Sequence, residues 1–75
     1  MIIKKEYKTQ NSIKSTMIDN IDRIDDGVFE NGTQFINIFK KGRQKDDDFE
    51  TIEIVNMSLY VMTDSGKTIQ IYRGK

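Results

Sequence analysis

Residues 12 to 26 read SIKSTMIDNIDRIDD, and whether this stretch is helix or strand decides between an α+β chain and an all-β one. At 100° per residue Ile13, Met17, Ile21 and Ile24 share one stripe with Ile18 at its edge, Ser12 stands where an N-cap would, and Gly27 where a helix would close. The charges run the other way. Asp22, Asp25 and Asp26 would crowd the negative end of the helix dipole and Lys14 the positive end, and the stretch has no Ala, Leu or Glu to help a helix form. The balance favours extended structure with a bend at DDG, 25 to 27; a helix is the alternative.

The composition of the whole chain points the same way. Its 75 residues include twelve isoleucines, three valines and six threonines, against one leucine and no alanine. β-branched side chains lose χ1 freedom against a preceding helical turn but pack well on a pleated surface. Proline, which would interrupt a sheet ladder, is absent.

Outward from the central stretch the strands are punctuated by turn residues. IIKKEY, 2 to 7, reads as a first strand and KTQN, 8 to 11, as a polar connection. VFE, Asn31-Gly32 and TQFINIFK form a hairpin for which Asn-Gly predicts a two-residue type I′ turn. KKGRQKDDD, 40 to 48, is a polar loop, followed by FETIEIV at 49 to 55 and a break at Asn56. MSLYVMT at 57 to 63, DSGK at 64 to 67 and TIQIYR at 68 to 73 make the last hairpin. The expected fold is all-β, or α+β if residues 12 to 26 are helical: a small antiparallel sheet or barrel of five or six short strands, residues 1 to 75 forming one small domain.

The two hairpins repeat one another. FINIFKKGR, 35 to 43, and TIQIYRGK, 68 to 75, each run apolar, amide, apolar, aromatic, basic behind a glycine turn. Period-two alternation across the later strands places Ile36, Ile38, Ile52, Ile54, Leu59, Val61, Ile69 and Ile71 on a core face. Phe35, Phe39, Val55, Tyr60, Met62 and Tyr72 fall on the other, among Asn37, Thr51, Glu53 and Gln70. So much apolar surface calls for a cover, either residues 12 to 26 or another subunit.

Function is constrained mainly by what the chain lacks. Without histidine or cysteine it has neither the usual near-neutral base nor the usual soft nucleophile, and no phosphate loop or nucleophile elbow occurs, so a non-enzyme without cofactor is expected. Asp46, Asp47, Asp48 and Glu50 offer hard oxygen ligands but lack calcium-loop spacing, as does the series Asp19, Asp22, Asp25, Asp26; no metal site is expected. Twelve basic residues balance twelve acidic ones, which gives no whole-molecule attraction to nucleic acid or membrane. The absence of cysteine, of long apolar runs and of a leader-like N-terminus points to a cytoplasmic protein not associated with membranes.

Two functions fit. In the first, a small adaptor or inhibitor self-associates as a homo-oligomer and binds a protein partner through Phe35, Phe39, Tyr60, Met62 and Tyr72, or through an edge strand. In the alternative, the repeated aromatic-basic strand ends, with Lys40, Lys41, Arg43, Arg73 and Lys75 flanking Phe39 and Tyr72, stack a base and grip its phosphate. The acidic residues beside the basic loop favour the first.

Overall fold

A computed structural model describes residues 1 to 74; Lys75, one of the expected phosphate contacts, lies outside the described residues. Seven strands follow one another: β1 (Ile2–Lys8), β2 (Ile13–Ile18), β3 (Ile21–Val28), β4 (Gln34–Lys40), β5 (Glu50–Glu53), β6 (Met57–Met62) and β7 (Thr68–Arg73). They form two antiparallel sheets, a four-stranded one in the order β2-β1-β6-β7 and a three-stranded one in the order β3-β4-β5. The fold is all-β, and the sheets are open layers rather than a closed barrel. No helix among the described residues is long and apolar enough to cross a membrane.

The ambiguous stretch holds no helix and forms two strands belonging to different sheets. The bend expected at 25 to 27 lies instead at Asp19-Asn20, and β3 runs straight through the Asp-Asp-Gly sequence. Asn20 (φ 58°) turns the chain out of the four-stranded sheet, and Asn56 (φ 55°) turns it back in. These are the two non-glycine residues at positive φ among those described, and asparagine is the L-residue type that tolerates this conformation best. The first corner is tied to the end of β4, because Lys41 N donates to the Asn20 carbonyl at 2.9 Å and Lys40 Nζ to that of Asp19 at 2.6 Å.

Both tight hairpins close by the same geometry, and it is not type I′. Phe29 N donates to Thr33 O and Gly32 N to Phe29 O, while Thr63 N donates to Lys67 O and Gly66 N to Thr63 O, all at 2.9 Å. Each loop therefore holds three residues, with only its glycine left-handed (Gly32 φ 89°, Gly66 φ 92°). Asn31 stays out of the left-handed region because its Oδ1 accepts from Thr33 N at 2.9 Å, a local bond that stabilises the wider turn.

Between the sheets lies one buried layer: Ile3 from β1, Ile21 from β3, Ile36 and Ile38 from β4, Ile52 and Ile54 from β5 and the corner after it, Leu59 and Val61 from β6, and Tyr72 from β7. Six of the eight expected core residues are there. Ile69 and Ile71 are not: they are 56% and 45% exposed, and Tyr72, expected outside, is buried in their place. The cause is a bulge. An unbroken hairpin would set Ile69 opposite Val61 and Ile71 opposite Leu59, but Ile69 is the extra residue, so the register becomes Val61 with Gln70 and Leu59 with Tyr72. A one-residue slip turns a whole strand over.

The corners generate a prediction. Replacing Asn56 with alanine should lower unfolding stability by about 1 kcal/mol, whereas glycine there should be close to neutral; urea denaturation of the three proteins measures the difference.

Candidate functional site

The five residues expected to form one interaction face are divided among three places. On the three-stranded sheet, Phe35, Asn37 and Phe39 point away from the core, and their own neighbours close over them. Phe35 lies across from Gly27, where a Cβ would stand 2.5 Å from Phe35 Cζ, and stacks on Phe29 with ring centroids 4.4 Å apart. Thr51 Oγ1 donates to Asn37 Oδ1 at 2.7 Å.

Phe39 is buried although it faces outward, because two guanidinium groups and a ring cover it. The Arg23 guanidinium carbon lies 3.8 Å from its centroid, that of Arg43 5.5 Å, and the Phe49 centroid 5.1 Å. Arg43 is held by an ion pair with Asp22 at 2.8 Å, and Arg23 by one with Asp25 at 2.8 Å. Asp22 is the extra residue of a bulge between Ile21 and Arg23, which re-aims its carboxylate toward Arg43. The hydrogen bond from Arg43 holds that carboxyl below the ordinary carboxylate range.

Tyr72 lies in the core at the rim between the sheets. Its hydroxyl donates to Asp26 Oδ2 at 2.9 Å, joining the edge strand β7 of one sheet to the edge strand β3 of the other. Burial first, and the hydrogen bond to Asp26 second, push its phenol up to about 12. Here the bulge that buries Tyr72 acquires a purpose: it brings a polar-tipped aromatic ring to a rim where an isoleucine would have left Asp26 unpartnered.

Tyr60 and Met62 occupy the outer face of the four-stranded sheet. The register aligns Met17, Lys4, Tyr60 and Ile71 in one row and Ile2 with Met62 in the next, with Lys4 Nζ 5.5 Å from the Tyr60 centroid. Ile2, Tyr60 and Met62 are half-buried there, while Met17 and Ile71 are exposed. Strand β2 does not cover the sheet as a lid; it extends it sideways and is exposed along nearly its whole length, with Ile13 at 63% and Met17 at 55%.

The basic residues are also dispersed. Lys40 shares the inner face of β4 with Ile36 and Ile38 and bonds the Asp19 carbonyl, Arg43 belongs to the Phe39 cover, Lys41 is an exposed loop residue, and Arg73 lies on the outer face of the other sheet. Strand alternation itself separates each aromatic from the basic residue that follows it. No group of three or more acidic side chains comes together to hold a metal ion among the described residues. A depression of about 510 Å³ opens at the far ends of β1 and β6, lined by Glu6, Tyr7, Lys8, Asn56, Met57 and Ser58. No protein family, curated protein or solved structure matches the chain.

The raised phenol gives an alkaline signature. A tyrosine whose folded pKa exceeds its unfolded value near 10 stabilises the fold fully below pH 10, and that stabilisation is lost as pH rises toward 12. Tyr72→Phe should cost about 1 kcal/mol at neutral pH and abolish this loss between pH 10 and 12, measured by urea unfolding across the range.

Proposed function

We propose that the protein is a small, non-catalytic interaction module of the adaptor or inhibitor type, which self-associates through its four-stranded sheet and docks a protein partner on that sheet's outer face. The observation that carries this reading is the contrast between the two outer faces. The three-stranded sheet pairs its outward side chains with one another: Phe35 is stacked on Phe29, Phe39 is covered by Arg23, Arg43 and Phe49, and Asn37 is bonded to Thr51, with Phe29 and Phe49 at the margin still 40% and 44% exposed. The four-stranded sheet leaves Met17 and Ile71 exposed beside the half-buried Ile2, Tyr60 and Met62 and ends in an exposed strand. Apolar surface of that kind marks an interaction site.

The interaction face is thus Tyr60 and Met62 with three residues contributed by neighbouring strands, rather than the five aromatic and methionine positions together. A cytoplasmic setting accords with a chain that has no cysteine to oxidise. The nucleic-acid alternative is weakened by the geometry, since Phe39 and Tyr72 are both buried and Arg43 and Arg73 lie on opposite outer faces.

Sedimentation velocity tests the reading. The wild-type chain should sediment as an oligomer. Met17→Asp, at the junction of the outer face and the exposed strand, should shift it to monomer. Phe39→Leu should stay associated while losing about 1 kcal/mol of stability. A wild-type chain that sediments as a monomer would sink the self-associating module.

A further inference from the structure

We infer that β2 is the self-association edge: two copies of the chain pair antiparallel, β2 to β2, about a two-fold axis at Ser15, joining their four-stranded sheets into one continuous sheet. This rests on the self-association reading above and names its partner and register.

The two sheets end in four edge strands, and three of them are protected. Strand β3 carries a bulge and the acidic residues Asp22, Asp25 and Asp26. Strand β5 has four residues, two of them glutamate. Strand β7 carries the Ile69 bulge and is joined to β3 through Tyr72 and Asp26. These are the devices by which soluble proteins blunt a sheet edge. Strand β2 has the least of them, the single charge Lys14: it pairs with β1 in unbroken register over six residues and is exposed at every position but Ile18.

The backbone parity decides what fits that edge. In the hairpin joining β1 to β2, Thr9 N donates to Ser12 O at 2.8 Å, which makes Thr9 and Ser12 a hydrogen-bonded pair. Counting along the antiparallel ladder, Lys14, Thr16 and Ile18 spend their backbone groups on Tyr7, Lys5 and Ile3, and the groups of Ile13, Ser15 and Met17 point away from the sheet. The far side of the sheet agrees: Gly74 N donates to Met57 O and Thr63 N to Lys67 O, both on the parity this count requires.

A second β2 strand satisfies these outward groups when Ser15 faces Ser15 and Ile13 faces Met17 in both directions. That register matches donors to acceptors along the strand. On the outer face it sets Ile13 against Met17, two of the most exposed apolar side chains in the molecule. On the inner face it sets Lys14, the strand's only charge, opposite the neutral hydroxyl of Thr16. The same patch meets itself, as a two-fold dimer demands.

Charge placed at Thr16 tests the register, because each change is read twice by symmetry. Wild type, Thr16→Glu, Thr16→Lys and Ser15→Pro are compared by sedimentation equilibrium at low salt, with urea unfolding as a check on folding. Thr16→Glu should tighten the dimer about tenfold by facing Lys14 of the second copy, and Thr16→Lys should weaken it about tenfold. Ser15→Pro removes an N–H that points away from β1 and should leave monomer at concentrations where wild type is dimeric. A wild-type oligomer indifferent to all three substitutions would overturn the β2 pairing while leaving self-association through another surface intact. A wild-type chain still monomeric at about 100 μM would overturn both.

Discussion

Every strand gives at least one side chain to the layer between the two sheets, β2 only the partly buried Ile18 at its end, and that layer sets the terms for the rest of the molecule. A chain this short buries only about 60% of its unfolded surface and has no disulfide to supplement its core. Its isoleucines are therefore concentrated where the four-stranded and three-stranded sheets overlap. The overlap is unequal by one strand, and β2 reaches it only through Ile18. The exposure of β2 follows from the strand count; it is not a loosening of the structure, since its register with β1 is unbroken.

Bulges make local exceptions to the alternation that built the core, and each exception places a polar contact. The one in β7 turns Tyr72 inward to meet Asp26 at the rim, at the cost of exposing Ile69 and Ile71. The one in β3 aims Asp22 at Arg43, which in turn lies over Phe39. Both bulges sit on edge strands, where an unpaired residue disturbs only one ladder. They also discourage pairing with another chain. An edge that lacks such a device, and whose outward groups match a second copy of itself, is a different kind of surface from its three counterparts.

The repeat of strand and turn acquires its meaning in the same way. Its two copies share the three-residue loop with a left-handed glycine, and both supply a strand that runs back from that loop. They differ in which side faces the core, so the aromatic residue is outside and covered in β4 but inside and hydrogen-bonded in β7. Neither copy offers an open aromatic platform. On the four-stranded sheet the exposed apolar side chains are Ile13, Met17, Ile69 and Ile71, with Tyr60 and Met62 half-buried among them, all outside the repeated aromatic-basic ends.

By itself the sequence placed at 25 to 27 the corner that the structure has at Asn20. It favoured the all-β class over α+β and determined the order of the later hairpins, the break at Asn56, the two glycine turns, and the inward faces of β4, β5 and β6. These depend on local chemistry: β-branched composition, alternation of apolar residues and tolerance of positive φ. The inward face of β7, the cover over Phe39 and the exposure of β2 were decided only in the tertiary structure. Alternation ties the residues of a strand to one another but does not say which side is inside, and a single bulged residue reverses the answer. Whether a face or an edge is open depends on where the opposing sheet ends, which is set by strands distant in the chain.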